Sequence, residues 1–286
     1  MQNSRDNSNH NNRVLVINDL AGHSNTSLMS IIPIMHAMGI PITVLPTAIL
    51  SSNTEHKGYQ MVDMTEHLEA FLRHWSDLGL AFNAVYSGFL SSEKQVDVVI
   101  EAINMFKKSG TFIVVDPVMA DDGELYPCYN KDIIISMQNL ISHADLIAPN
   151  LTEAAFLLKE PYQSVIKLQE VENWCKRLSQ FGPEQIVITN VPDESNSELT
   201  SVVCYDKTRN YIHRSFCRHY SVNYPGTGDI FASVLTCLLL KGSGLFPAVD
   251  KTVKFMCEAI EATIALKSPV NEGISLETVL NRLPKP

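Results

Sequence analysis

Apolar runs that are typical of buried strands alternate with helical stripes of apolar residues between residues 14 and 189. Residues 14–17 (VLVI) and 111–115 (TFIVV) are continuous runs, which predicts strands covered on both faces. Between them, apolar side chains at positions 96, 99, 100, 103 and 106 have the spacing of one helix face. Strands and helices that alternate in this way form a mostly parallel sheet flanked by helices on both faces. The sequence therefore predicts an α/β fold.

The pattern changes after residue 189. Residues 199–206 and 211–217 alternate between polar and apolar positions and are joined by the polar segment 207–210, which predicts a β-hairpin in the C-terminal half. We find no internal repeat and no linker, so we expect a single domain over residues 14–286. Residues 1–13 are rich in Asn and Ser and have no apolar run, which is typical of a disordered tail.

The charge of the chain restricts its partners. The 286 residues carry a net charge of −9, so neither a nucleic-acid groove nor a surface for anionic membranes is expected. No stretch reaches the roughly 18 apolar residues that a membrane span needs, and the N-terminal residues lack the pattern of a signal peptide. These features predict a cytoplasmic protein.

The cysteines carry no metal or redox motif. None forms a CxxC pair, which excludes a zinc knuckle and a thioredoxin motif. In a cytoplasmic chain we expect reduced thiols that serve mainly as packing groups. The alternative is a disulfide between Cys204 and Cys217, which could face each other across the predicted hairpin. The complete set is Cys128, Cys175, Cys204, Cys217, Cys237 and Cys257.

A glycine-rich turn precedes a buried helix near residue 230. Gly226, Thr227, Gly228 and Asp229 are followed by apolar positions at helical spacing. Glycines allow a sharp turn with exposed N–H groups, and a helix N-terminus carries roughly half a positive charge, so this turn predicts an anion site. A carboxylate beside an anion suits a general base at a transferring phosphoryl group. An ordinary helix start that carries an acidic first turn is the alternative.

Polar residues follow the predicted strands at their carboxyl ends. Ligands bind at that edge in open α/β sheets, so we expect these residues to gather along one edge. They are Asp19, Thr47, Ser87, Asp116, Asn150 and Thr189. The sequence contains no GxxxxGK[ST], no GxGxxG after the first strand, no HExxH and no GxSxG, which argues against a P-loop protein, a dinucleotide-binding protein, a zinc protease and a serine hydrolase.

Six motifs in one order resemble the ribokinase-like superfamily and, within it, the pyridoxal (vitamin B6) kinase family. The resemblance covers residues 14–266 and implies an ATP-dependent kinase that phosphorylates the 5′-hydroxymethyl group of pyridoxal, pyridoxine or pyridoxamine. It also implies Mg²⁺, a monovalent cation as a further candidate, and a homodimer. The motifs are residues 18–24 (NDLAGHS), 50–54 (LSSNT), 86–90 (YSGFL), 116–119 (DPVM), 148–153 (APNLTE) and 226–229 (GTGD).

The resemblance also implies roles for individual residues. Asp229 would be the base, and Gly226, Thr227 and Gly228 would hold the phosphoryl oxygens through their N–H groups. Glu153 would organise Mg²⁺. Asp116 would face the phosphates and the metal, and Asn150 would help to organise Mg²⁺ around the phosphates. Thr189 would lie along the nucleotide, and Tyr126 would belong to a loop that covers the phosphates. The residues implied around the acceptor are Asp19 (pyridine ring), Thr47, Thr54 and Tyr86.

Four alternatives remain open. A hydroxymethylpyrimidine kinase of thiamine salvage usually carries Cys at the position of Asp229. A sugar or nucleoside kinase usually has a larger early lid and a Gly-Gly pair, and this chain has no Gly-Gly pair. A non-catalytic B6-vitamer-binding protein, or an interaction protein on an inactive kinase fold, would need neither Asp229 nor Glu153.

Overall fold

The computed structural model describes residues 13–286. The tail expected over residues 1–13 therefore lies outside the described residues, except for Arg13, whose guanidinium donates hydrogen bonds to Ile42 O and Thr43 Oγ1, both at 3.2 Å. In the described part, the strands are β1 (Val14–Ala21), β2 (Ile42–Leu50), β3 (Met61–Asp63), β4 (Ala84–Ser87), β5 (Phe112–Val115), β6 (Ala120–Asp121), β7 (Glu124–Leu125), β8 (Leu146–Ile147), β9 (Gln185–Pro192), β10 (Leu199–Asp206) and β11 (Tyr211–Arg218).

Helices connect most of these strands. In the same described range they are α1 (Ser27–Ala37), α2 (Thr65–Asp77), α3 (Glu93–Phe106), α4 (Asp132–Ile141), α5 (Leu151–Leu158), α6 (Leu168–Leu178), α7 (Thr227–Leu240) and α8 (Leu245–Leu266). Among residues 13–286, we find no helix with both the length and the apolar character of a membrane span.

The central sheet has nine strands in the order β11-β10-β9-β8-β5-β4-β1-β2-β3. The six strands from β9 to β2 pair in parallel, whereas β3 at one edge and β10 and β11 at the other are antiparallel. The predicted α/β fold with a mostly parallel sheet and a C-terminal hairpin is confirmed. The chain order reverses between β1 and β4, which is the point in open sheets where ligands bind.

Two apolar cores cover the two faces of the sheet. One contains Leu15 and Ile17 together with residues of α2 to α6, and the other contains Val14 and Val16 together with residues of α1, α7 and α8. Successive side chains of a strand point to opposite faces, so a strand covered on both sides is apolar at every position. This explains the continuous apolar run of β1.

Several predicted boundaries were wrong. β1 continues through Asn18 and Asp19, which were expected in a loop, and β2 continues through Thr47 to Leu50. The short strands β3, β6 and β7 were missed, because two or three residues carry no readable alternation. Near the C-terminus the chain forms two 3₁₀ turns, Leu276–Thr278 and Leu280–Arg282.

The cysteine expectations also need correction. Cys217 on β11 and Cys257 on α8 are joined as a disulfide, although all six thiols were expected to be reduced. The alternative pairing of Cys204 with Cys217 is wrong too, because Cys204 pairs with His213 in the hairpin register. Cys204 is a buried free thiol instead.

Candidate active site

Helix α7 begins at the predicted anion-binding turn. Gly226 caps the helix with φ of +81°, a conformation that side chains other than glycine rarely adopt. A Cβ atom at Gly226 would lie 2.7 Å from Asn25 O and 2.9 Å from Thr26 Cα, so the turn packs tightly against the β1–α1 connection. The first N–H groups of a helix have no partners within the helix and are free to meet an anion.

Asp229 lies in the first turn of α7 and is anchored by two distant parts of the chain. Its Oδ1 accepts a hydrogen bond from Asn18 Nδ2 at 2.9 Å, and its Oδ2 accepts one from Ser27 N at 2.8 Å. Burial raises the pKa of Asp229 above its usual value, although both hydrogen bonds oppose the shift. The side chain is a half-buried carboxylate with a fixed direction and increased basicity.

Asp116 follows β5 and faces the same turn. A Cβ atom at Gly228 would lie 3.7 Å from Asp116 Oδ2, which places this carboxylate beside the start of α7. Burial, and then the charges of Glu153 and Asp229, raise the pKa of Asp116 well above its usual value. Asp116 therefore shares one site with Glu153 and Asp229 and is repelled by both when the carboxylates are ionised.

Glu153 and Asn150 form a capping box at the start of α5. Asn150 Oδ1 accepts from Glu153 N, and Glu153 Oε2 accepts from Asn150 N, both at 2.8 Å. The other carboxylate oxygen, Oε1, accepts from Met119 N at 3.0 Å, and Asn150 Nδ2 donates to Ala120 O at 2.7 Å. Burial raises the pKa of Glu153 to about 8 despite these N–H donors.

The carboxylates satisfy part of what a magnesium site requires. Mg²⁺ prefers oxygen ligands and usually keeps several waters, so one or two carboxylates with substrate phosphates are enough. Asp116 and Glu153 are close enough for the charge of Glu153 to raise the pKa of Asp116, and a cation between them would relieve that repulsion. Among residues 13–286, no cluster of three or more His, Cys, Asp or Glu side chains forms a metal cage.

Thr189 and Tyr126 lie near the same residues. Thr189 N donates to Pro149 O at 3.0 Å, and Thr189 forms an isolated β-bridge with Asn150. Tyr126, directly after β7, donates from its backbone N to Met119 O at 2.9 Å. Burial and then the charge of Glu153 raise the pKa of the Tyr126 hydroxyl. Their predicted contacts with a nucleotide stay predictions.

The residues predicted around the acceptor are not equally accessible. Asp19 is buried, and burial and the charge of Asp229 raise its pKa to about 7. Thr54 is exposed on the loop after β2, whereas Thr47 is buried and its hydroxyl donates to Phe89 O at 2.9 Å. Tyr86 is fully buried in the core beneath α7, so in this conformation it does not line an open pocket as predicted.

Comparison with known proteins identifies the family. The sequence pattern of the phosphomethylpyrimidine kinase family matches residues 32–273, well over half of the chain. The chain belongs to the phosphomethylpyrimidine kinase family.

Solved members of this family and of the pyridoxal kinases have the same fold. A phosphomethylpyrimidine kinase from Bacteroides thetaiotaomicron, crystallised with pyridoxal, is 36% identical with a TM-score of 0.93, over 96% of each chain. A pyridoxal kinase from Lactobacillus plantarum is 30% identical with a TM-score of 0.87, over 95% of this chain and 96% of the other. These similarities support the predicted resemblance to the pyridoxal kinase family of the ribokinase-like superfamily.

A curated plant relative connects the family to thiamine. The thiamine biosynthetic bifunctional enzyme TH1 of Arabidopsis thaliana is 27% identical over 233 residues, which are 79% of this chain and 42% of the plant enzyme. The chain therefore spans less than half the length of this relative.

Two residues of this phosphomethylpyrimidine kinase family member were missed as site residues. Asn18 donates to Asp229, and its Oδ1 accepts from Asp19 N at 2.9 Å and from Phe89 N at 3.0 Å. Ser27 acts through its backbone N–H, which carries no sequence signal. A buried Asn at the carboxyl end of an apolar strand was the available signal for Asn18, because buried polar groups need partners.

Proposed function

We propose that this protein is an ATP-dependent kinase that phosphorylates the 5′-hydroxymethyl group of pyridoxal, pyridoxine or pyridoxamine. The observation that carries the proposal is the Asp229 carboxylate, which Asn18 and Ser27 hold beside the N-terminus of α7. The similarity to a family member crystallised with pyridoxal supports the choice of acceptor.

Asp229 would act as the general base. The acceptor hydroxyl oxygen forms a bond to the γ-phosphorus of ATP, the bond from that phosphorus to ADP breaks, and the hydroxyl proton passes to the carboxylate. A base works best when its pKa lies near the working pH. Burial moves the pKa of Asp229 upward in that direction, while its two hydrogen bonds fix the direction of the oxygens.

The start of α7 would hold the transferred phosphoryl group. N–H groups of Thr227 and Gly228 and the positive end of the helix dipole favour negative charge there. Asp116 and Glu153 would hold Mg²⁺, which when bound neutralises phosphate charge. Asn150 keeps Glu153 in place through the capping box, and Thr189 and Tyr126 would lie along the nucleotide.

Asp19 would contact the pyridine ring of the acceptor. With its pKa at about 7, this carboxyl is a mixture of the acid and the carboxylate at neutral pH. It would donate to a neutral ring nitrogen or accept from a protonated one. Thr54, on the exposed loop, would approach the ring from the solvent side, and Thr47 would hold the backbone of Phe89 behind it.

Phosphorylation of hydroxymethylpyrimidine is the second candidate. The name of the family and the thiamine-related plant relative favour it. Asp229 stands where that group of kinases usually carries Cys, and this difference favours the B6 vitamers. A non-catalytic B6-vitamer carrier would need neither the base nor the buried acids. We also propose a homodimer, with a monovalent cation as a further candidate cofactor, on the family resemblance.

Product analysis tests the proposal. Purified protein is incubated with Mg-ATP and, separately, with pyridoxal, pyridoxine, pyridoxamine and hydroxymethylpyrimidine. ADP release is followed, and the product is confirmed by mass. Phosphorylation of a vitamer is the expected result. Product from hydroxymethylpyrimidine alone would favour the second candidate function, and vitamer binding without turnover would favour the carrier.

Light scattering tests whether the protein is a dimer. Comparison of turnover in K⁺ with turnover in a bulky organic cation tests whether a monovalent cation is needed.

A further inference from the structure

Three side chains outside the proposed catalytic set join the loop of residues 51–58 to the segment of residues 270–274. Asn53 is buried and donates from Nδ2 to Asn271 O at 2.8 Å. Asn271 in turn donates from Nδ2 to His56 Nδ1 at 3.2 Å. Asn53, His56 and Asn271 are called the clasp below.

The second nitrogen of His56 has a partner as well. His56 Nε2 lies 3.4 Å from Ser24 Oγ. The imidazole ring of His56 also packs against that of His23, with 5.2 Å between the ring centroids and 59° between the ring planes. If Nε2 carries the proton, it donates to Ser24 while Nδ1 accepts from Asn271. One neutral tautomer therefore satisfies both contacts, and the clasp reaches the β1–α1 connection.

The same C-terminal segment also touches the connection that holds the base. Asn25 N donates to Glu272 O at 2.9 Å, and Asn25 Nδ2 donates to Ile274 O at 2.8 Å. A Cβ atom at Gly273 would lie 2.9 Å from both Asn25 O and Pro225 O, so this segment is wedged between the connection and the start of the anion-binding turn. Asn25 lies two residues before Ser27, which donates to Asp229.

The bonds of loop 51–58 differ in length. Ser51 N donates to Gln60 O at 2.9 Å at the base of the loop, whereas the contacts Asn53 N to His23 O, His56 N to Asn53 O and Tyr59 N to His56 O are 3.3 to 3.4 Å long. The 2.8 Å bond from Asn53 to Asn271 is shorter than these contacts, and it crosses to a segment 218 residues away. Good N–H···O bonds have lengths near 2.9 Å, so we expect the bond from Asn53 to contribute more than the three longer contacts to keeping residues 53–58 in place.

We propose that the clasp is a positioning device for the acceptor, in which Asn271 is a further positioning residue. The clasp holds loop 51–58, with Thr54, against the same connection that orients Asp229. The clasp thereby links two events: the closing of loop 51–58 over the bound acceptor, and the orientation of the Asp229 carboxylate. This inference rests on the proposed function for the identity of the acceptor, but the closure of the loop is measurable without turnover.

The experiment compares Asn53→Ala, Asn271→Ala and His56→Ala with the unaltered protein. Lys57 is exposed in the loop, so trypsin cleavage between residues 57 and 58, followed by mass spectrometry, reports local opening. Loss of one neutral hydrogen bond is expected to raise the cleavage rate about 2- to 10-fold. KM and Kd for pyridoxine are expected to rise by the same factor, with KM for ATP and the melting temperature unchanged. Asn271→Ala keeps the backbone oxygen that accepts from Asn53, whereas His56→Ala also removes the contacts with Ser24 and His23. Asn53→Ala and His56→Ala are therefore expected to open the loop at least as much as Asn271→Ala.

Asn104→Ala on the exposed face of α3 is the matched control and should change nothing. His56→Gln keeps a hydrogen-bond acceptor for the Asn271 amide and is expected to restore part of the pyridoxine affinity. Unchanged cleavage in both Asn53→Ala and Asn271→Ala would overturn the clasp. Faster cleavage with unchanged pyridoxine KM and Kd would overturn the positioning role. If the unaltered protein neither binds nor phosphorylates a vitamer, the proposed function fails, and the cleavage rates alone still decide whether the clasp closes the loop.

Discussion

At the scale of single residues, Asp229 is the side chain on which the proposed reaction depends most. It is fixed by a side-chain amide and a backbone N–H, and replacement by Asn keeps its size. We expect Asp229→Asn to fold but to lose at least about 10² in turnover, since removal of a general base typically costs 10²–10⁴. Steady-state kinetics measure the loss, and Mg-ADP binding serves as the control. Near-normal turnover in the folded variant would remove the proposed base.

Asp19 gives a prediction about stability and pH. Its pKa is about 7 in the folded protein against an ordinary value of 3.8, so the folded state holds this proton over the interval between the two values. The folded state binds more protons there, so stability from this group is present at low pH and is lost as the pH rises towards 7. We expect Asp19→Asn to raise the free energy of unfolding by about 2–3 kcal/mol more at pH 8 than at pH 5.

Urea denaturation at the two pH values measures the effect of Asp19→Asn. The same change at Asp97, which is exposed on α3, is the control for the loss of one negative charge. An equal effect of Asp19→Asn at pH 5 and pH 8 would show that the carboxyl titrates alike in the folded and unfolded chains.

At the scale of elements, the start of α7 depends on a glycine for two separate reasons. Gly226 and Gly242 both have positive φ, +81° and +89°, but a Cβ atom meets backbone only at Gly226. Gly242→Ala should therefore lower the free energy of unfolding only by the cost of placing a residue with a side chain at positive φ, about 1 kcal/mol. Gly226→Ala should be destabilised further and should bind Mg-ATP more weakly, because the turn must move away from Asn25. Thermal unfolding and nucleotide titration compare the two, and equal behaviour would contradict the tight packing.

Two helix caps allow structure and function to be separated. Asn150 caps α5 and holds Glu153, whereas Ser92 caps α3 by accepting from Gln95 N. Each change to Ala is expected to lower the free energy of unfolding by about 0.5–2 kcal/mol. Only Asn150→Ala should also lower kcat, because it releases the carboxylate proposed to hold Mg²⁺. Equal kcat in both variants would show that the capping box is structural alone.

At the scale of the whole molecule, local patterns predicted the layers but not the distant contacts. The alternation of strands and helices predicted the parallel sheet, and the turn chemistry predicted the hairpin and the start of α7. Asn18 meets Asp229 across 211 residues, and no local pattern carries that information. Tyr86 shows a second limit. It lies on a strand that is buried on both faces, and the sequence does not reveal which of the two cores its side chain will enter.

The two cores lead to a prediction about bound nucleotide. Glu153 lies on α5, against one face of the sheet, and Asp229 lies on α7, against the other. A nucleotide bound between the N-termini of α5 and α7 would link the two cores. At 100 times its Kd, Mg-ADP is expected to add about 2.7 kcal/mol to the free energy of unfolding. Hydrogen exchange should slow in α5 and α7 alike, and EDTA should abolish most of the effect, with Mg²⁺ alone as the control. Protection of only one helix, or equal protection in EDTA, would contradict a metal-assisted site between the two layers.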